Sequence, residues 1–341
     1  MNDLSAYVVR AARGDDLDAL YNMAKTTGGG FTNLPASKPA LRRKLDKALA
    51  SFAREGDEPG DDAFLFVLEN TATARVVGTC QVFSRTGAER PFHSYRLGEI
   101  ERRSDTLGQT FRTRTLTLCT DLTGCSEVGG LFLLPQERAS GVGKLLARSR
   151  YLFIAMHRAR FADRTIAELR GAHDAVGGSP FWDGVAGRFF DLSFADLDRL
   201  DAAHGPQSIA ELMPEHAIYT ATLPESAQVV LGVPHRSGTA AMRMLEEEGF
   251  SSGDYIDVFD GGPTMIAQTD RIRTIAEAEP AMVREIGRLG GEARPVAAGT
   301  LGGFRACLAH FDVADGRAVL DPSAAELVAL AAGDTLVHAP R

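Results

Sequence analysis

The stretch whose spacing carries the most chemistry is Arg138-Ala139-Ser140-Gly141-Val142-Gly143. Two glycines one residue apart permit a tight turn that gathers several backbone N–H groups at one point. The apolar run Val128–Leu134 before it reads as a strand buried on both faces, and Pro135, with no N–H for a ladder, ends it. An amphipathic helix is expected from Lys144 onward. Unpaired donors and the macrodipole at such a helix N-terminus favour an anion. Arg138, Lys144 and Arg148 add positive charge, the last two one helical step apart on one face. The turn is not a Walker A loop, because no Gly-Lys-Ser/Thr closes it. Nor is it the G-x-G-x-x-G dinucleotide fingerprint, because Leu146 holds the place of the last glycine.

The elements around this turn alternate. Tyr7–Ala11 reads as a first strand, and Asp15 and Asp16 then lead a helix with Leu17, Leu20 and Met23 on its apolar side. Gly28-Gly29-Gly30 to Pro35 is a loop able to approach a ligand closely. Residues 39–54 form a basic helix with a Leu41, Leu45, Leu49, Phe52 stripe. Strands are expected at 64–69, 75–83, 94–103 and 112–119. After the central helix come a strand at 165–171, a helix capped by Ser179, a short strand at 208–212, helices at 223–231 and 238–249, and strands at 255–259 and 264–268. Beyond residue 272 the composition turns Ala-, Glu- and Gly-rich. Short strand-like pieces follow at 304–312, 317–320 and 335–339. The expected organisation is a main domain over 1–275 and a small β-rich domain over 280–341.

The 341 residues are 44% hydrophobic and 24% charged, the proportions of a globular protein in water. A net charge of −8 argues against a nucleic-acid partner, which calls for a basic face. Cys80, Cys119, Cys125 and Cys307 form no C-x-x-C pair and have no accompanying His cluster. No metal or disulfide is therefore expected, and reduced thiols in the cytoplasm are. The N-terminus lacks the apolar core of a signal peptide, and no run of about 18 apolar residues suggests a membrane span.

The sequence Arg138-x-x-Gly141-x-Gly143, between its strand and helix, resembles the pyrophosphate loop of the general N-acetyltransferase (GNAT) superfamily, which binds coenzyme A. Six segments in order, GGGFTNLP, LFLLPQERASGVGKLLARSR, FADRTIAELRG, SPFWDGVAGRFFDLSF, IAELMPEHAIY and YIDVFDGGPT, resemble the arginine N-succinyltransferase family. The resemblance covers about residues 7–275. It implies an α/β (α+β) GNAT-like fold, a mixed and mostly antiparallel sheet flanked by helices with a small C-terminal appendage. It also implies direct transfer of succinyl from succinyl-CoA to the α-amino group of L-arginine, the first step of a catabolic route. Succinyl-CoA would be a co-substrate, with no permanently bound cofactor.

Position by position, the resemblance puts the acyl-CoA contact at Leu131, with backbone donors from Leu131 to Leu133. The pyrophosphate falls on Arg138, Gly141, Val142, Gly143 and Lys144. The proton donor falls on His235, where Pro234 and Arg236 replace the family's usual neighbours. An adjacent arginine lowers a histidine's pKa. A guanidinium substrate calls for a carboxylate. Glu168 and Glu211, each in an Ala-Glu-Leu strand, lead the candidates, with Asp183, Asp257 and Asp260 behind them. The substrate carboxylates call for cations, among them Arg96, Arg170 and Arg236. A Cys119 or Cys125 nucleophile is disfavoured, since neither has a neighbouring base. The family's habit suggests a homodimer. Another acyl-CoA or amine is the alternative chemistry, and a weakly active subunit paired with a related chain is the alternative role.

Overall fold

The computed structural model describes residues 6–27, 33–175, 177–190, 192–194, 213 and 215–340, without the side chains of residues 139, 140 and 189. The strand expected at 208–212, the loop 28–32 and Glu211 lie outside the described residues. Among the described residues sixteen strands form one sheet. In chain order they are β1 (Tyr7–Ala11), β2 (Ala63–Asn70), β3 (Arg75–Phe83), β4 (Ser94–Ser104), β5 (Gln109–Cys119), β6 (Ser126–Leu133), β7 (Arg164–Glu168) and β8 (Ile218–Tyr219). They continue as β9 (Ser251–Ile256), β10 (Pro263–Gln268), β11 (Glu279–Ile286), β12 (Arg294–Ala298), β13 (Arg305–Ala309), β14 (Phe311–Ala314), β15 (Arg317–Leu320) and β16 (Thr335–His338). Their order across the sheet is 14-15-11-16-12-13-1-2-3-6-7-10-9-4-5-8. Among the described residues only β6–β7 and β11–β15 pair in parallel, so the mixed, mostly antiparallel sheet is as expected.

The longer helices are α1 (Leu17–Ala24), α2 (Lys38–Ala53), α3 (Val142–Met156), α4 (Thr239–Glu247) and α5 (Pro322–Val328). The side chain of Ser37 caps α2, accepting from the Ala40 N–H at 3.4 Å, and Pro39 sits in its first turn, where a missing N–H costs nothing. α1, α2 and α3 pack on the sheet over a cluster of aromatic rings. Phe153 on α3 meets Phe64, Phe66 and Phe304 at centroid distances of 4.8, 4.9 and 5.2 Å, with tilted or edge-on rings. Burial all round distinguishes α3, whose residues from Leu145 to Ile154 are all buried.

β1 is the seam to the C-terminal strands. Its Val9 enters the main core, while Val8 enters a second core made from β11–β16 and α5. β1 pairs with β2 on one side and β13 on the other. The Ala-, Glu- and Gly-rich stretch 277–299, for which no strand was expected, supplies β11 and β12, and α5 was likewise not expected. The helix expected at 223–231 is a single turn, Glu225–Gln228. No helix among the described residues is long and apolar enough to cross a membrane.

Candidate active site

β6 carries the irregularity that makes the site. Between the pairs Thr79↔Phe132 and Gln81↔Gly129 it has one residue more than β3, a bulge. Gly130 sits in it at φ +58°, a conformation that a side chain disfavours. On its other edge β6 pairs with β7 only at Ser126↔Thr165 and Glu127↔Ile166. The two strands then part, and a cavity of about 200 Å³ opens in the fork, lined by Gly129, Gly130 and Leu131 on one side and Ala167 to Arg170 on the other. The sheet ladder therefore no longer takes the β6 backbone edge near Leu131.

At the end of β6 the chain makes a 3-10 turn from Pro135 to Ser140, and Gly141 at φ +83° turns it into α3. α3 begins at Val142, two residues earlier than expected. Val142 is fully buried, and Gly143 lies beside the Leu133 side chain. This leaves the backbone N–H groups of the first turn of a 15-residue helix gathered beyond the strand end. The cationic side chains are placed otherwise than their spacing suggested. Arg138 folds back, its Nε donating to the Leu133 carbonyl at 3.0 Å. Lys144 pairs with Glu247 of α4 at 2.8 Å. Arg148 is buried, donating from Nε to Thr274 Oγ1 at 2.8 Å and pairing with Glu248 at 3.1 Å. It holds α3 to the end of α4, and helical spacing misled because α3 has no solvent face there.

Four carboxylates line the fork: Glu127, Glu168, Asp257 and Asp260. Two of them are tied to the backbone. Asp257 Oδ1 accepts from the Phe259 and Asp260 N–H groups at 2.7 and 2.8 Å, and Asp260 accepts from Gly171 and Gly262 at 2.8 Å each. Glu168 Oε1 is buried with no hydrogen-bond partner. Burial holds all four carboxyls above their ordinary range, and repulsion from neighbouring carboxylates adds to it for Glu127, Glu168 and Asp260. For Glu168 the neighbours responsible are Asp257, Glu127 and Asp260, in that order. A cation entering the fork would relieve this repulsion.

Arg170 lines the same cavity, and its Nη2 lies 2.9 Å from His173 Nδ1. The segment 232–235 is fastened to this strand end. Ala172 N–H donates to the Val233 carbonyl at 3.0 Å, and His235 N–H to the Arg170 carbonyl at 2.7 Å. His235 is thus anchored beside Ser237 and Gly238, which line the cavity. The Ser237 N–H donates to His235 Nδ1 at 3.2 Å, so the neutral ring carries its proton on Nε2. Partial burial lowers its pKa first, then Arg170, with Arg236 only third.

Of the residues the sequence singled out, the fold gathers Leu131, Glu168, Arg170, Asp257 and Asp260 around one cavity, with His235 anchored at its edge. Asp183 is exposed, and Arg96 is paired with Asp121 at 3.2 Å. Burial raises the pKa of both Cys119 and Cys125, which suits neither as a nucleophile. Sequence reasoning missed Glu127, His173 and the buried cation Arg150, which also lines the cavity. For Glu127 the signal was present: a lone acid in a buried strand, the same argument that marked Glu168. Among the described residues no group of His, Cys, Asp and Glu has the geometry to hold a metal.

Comparison with known proteins places this arrangement. The family model described as arginine N-succinyltransferase beta subunit matches residues 7–274, and the model of that subunit's C-terminal domain matches 281–340. The chain is 39% identical to an arginine N-succinyltransferase of Enterobacter sp. (strain 638) over 332 residues, 96% of each chain. It is also 39% identical to the arginine N-succinyltransferase subunit beta of Pseudomonas aeruginosa, over 98% of each. A solved structure of arginine/ornithine succinyltransferase subunit AI from Pseudomonas aeruginosa superposes with a TM-score of 0.89 at 33% identity, covering 98% of both chains. Sequence likeness and shared backbone both run the length of the chain, which therefore belongs to the arginine N-succinyltransferase family of acyltransferases.

Proposed function

We propose that this protein transfers the succinyl group of succinyl-CoA to the α-amino group of L-arginine. The observation that carries the reading is the fork between β6 and β7. It sets carboxylates and two arginines around one cavity, with His235 anchored at its edge, and the strand that forms one wall leads into an anion-seeking helix start. Coenzyme A lies with its pyrophosphate on the N–H groups of Gly141, Val142 and Gly143. Arg138 and Lys144 border that site, and Lys144 exchanges an exposed partner, Glu247, for phosphate. The thioester then enters the fork, where a β6 backbone N–H between Leu131 and Leu133 faces its oxygen. One such donor, aimed at a tetrahedral intermediate, is worth about 3 kcal/mol. Glu168 and Glu127 take the guanidinium, and Arg150 is the cation placed for the succinyl carboxylate.

The neutral α-amine attacks the thioester carbon. A C–N bond forms, and the C–S bond breaks as the intermediate collapses. The nitrogen gives up one proton and the sulfur gains one, passed through His235. Its lowered pKa keeps the free ring neutral near pH 7, ready to accept a proton from the amine and return it to the thiolate.

Thiol release by the purified chain tests the proposal, with succinyl-CoA or acetyl-CoA against L-arginine, L-ornithine and L-lysine. Release fastest with succinyl-CoA and arginine is expected. A preference for ornithine, or for acetyl-CoA, would move the substrate and keep the chemistry. No release from any pair would mean that the chain acts only with a related subunit or not at all.

A further inference from the structure

His173 has no part in the mechanism above, yet it is held in an unusual way. Its Nδ1 faces Arg170 Nη2 at 2.9 Å. A guanidinium can only donate, so Nδ1 accepts and the ring is neutral, with its proton on Nε2. Nε2 is itself buried without a partner, and the ring packs edge-on against Phe194 and His235, at 5.1 and 5.5 Å between centroids. Burial, and then Arg170, push its pKa down to about 4, so the ring does not charge at neutral pH. A half-buried neutral histidine that leaves its buried nitrogen unsatisfied and spends the other on an arginine fixes the direction of that arginine.

The direction matters because of what lies two residues away. Leu169 N–H still pairs with the Pro263 carbonyl at 3.1 Å, so the chain stays extended past the end of β7. Glu168 and Arg170 therefore share a face, with Cα atoms roughly 7 Å apart, and both line the cavity. One extended segment thus presents Glu168 and Arg170 from Cα atoms about as far apart as the guanidinium and the α-carboxylate of extended arginine. Arg170 also accepts, through its carbonyl, the backbone N–H of His235.

We propose that Arg170, aimed by His173, anchors the α-carboxylate of the acceptor amino acid, so that the substrate lies along the β7 edge with its guanidinium at Glu168 and its α-amine beside His235. This rests on the function proposed above and deepens it by orienting the acceptor. His173 acts as a positioning residue, through Arg170. Arg150, the other cation of the cavity, is left for the acyl end.

The test compares L-arginine with agmatine, which keeps the guanidinium and lacks the α-carboxylate, in the wild type, His173→Phe, His173→Asn and Arg170→Met. His173→Phe keeps a ring and removes the acceptor. It is expected to raise the KM for arginine about tenfold, leaving the KM values for agmatine and succinyl-CoA unchanged. His173→Asn keeps an acceptor oxygen and should recover most of the loss. Arg170→Met should abolish the preference for arginine over agmatine, and adding His173→Phe to it should do no more. An unchanged arginine KM in His173→Phe would overturn the proposal, as would an equal rise for agmatine. A rise for succinyl-CoA alone would assign Arg170 to the acyl end and overturn it too. If His173→Phe does not fold, His173→Asn and Arg170→Met decide. If the wild type acylates a different amino acid, the proposed function fails, and the anchor is tested with that amino acid and its decarboxylated amine.

Discussion

Replacing Glu168 by glutamine should raise stability and lower affinity for arginine at once. Glu168 Oε1 is buried without a hydrogen-bond partner, and Asp257, Glu127 and Asp260 stand around it. In the free protein its charge is therefore a cost. Its folded pKa lies well above the ordinary value, so the penalty is absent below the unfolded pKa, grows as pH rises from there toward the folded pKa and is complete above it. Glu168→Gln keeps the shape and removes that charge. The melting temperature should rise, more at pH 8 than at pH 5. Hydrogen bonds to a charged group are worth about 1.5–3 kcal/mol, so the KM for arginine should rise by about tenfold to a hundredfold, with little change for succinyl-CoA. Thermal unfolding at two pH values and steady-state kinetics read the two effects. A lower melting temperature with unchanged arginine KM would refute the reasoning and make Glu168 a structural acid.

Other outcomes follow from the same geometry. Arg148→Ala leaves the buried Glu248 without its ion-pair partner, and should cost about 3–5 kcal/mol in denaturant unfolding while the KM for succinyl-CoA stays unchanged; the reverse would restore Arg148 to phosphate binding. His157 accepts the Leu301 N–H at Nε2, 3.2 Å away, and burial pushes its pKa down to about 4. The folded state thus resists a proton that the unfolded chain takes up near pH 6.5. Stability should fall by on the order of 1–2 kcal/mol, the full shift being reduced by solvent screening of this half-buried ring, as pH drops from 6.5 to about 4, and His157→Gln should flatten that slope in urea titrations. A Cβ at Gly171 would overlap the Asp260 carbonyl, so Gly171→Ala should cost about 1–3 kcal/mol or more and raise the arginine KM, measured by melting and kinetics.

The parts of the site that the sequence revealed are those set by local pattern. The strand, glycine turn and helix over 126–156 depend on residues close in sequence, so their spacing was readable. Glu168 of Ala-Glu-Leu stood out because a charge inside an apolar strand demands a partner. What escaped notice depends on contacts far along the chain. His173 matters because segment 232–235 folds onto residues 170–172, and Glu127, although its own strand marked it, gains its role only where β7 brings Glu168 alongside it. Arg148 read as a cation beside the anion site because periodicity cannot show that Glu248 and Thr274 cover that face of α3. β11 and β12 were hidden by small residues, whose burial comes from α5 and β1 rather than from their own hydrophobicity.

Identification of the reaction product tests the central claim most directly. Incubation of the chain with succinyl-CoA and L-arginine, followed by mass spectrometry and NMR, should give arginine carrying one succinyl group on its α-nitrogen. His235→Ala should form it far more slowly, with its affinity for succinyl-CoA intact. Acylation at the guanidinium, or a His235→Ala variant as fast as the wild type, would contradict the placement of the acceptor and its proton carrier in the fork of β6 and β7.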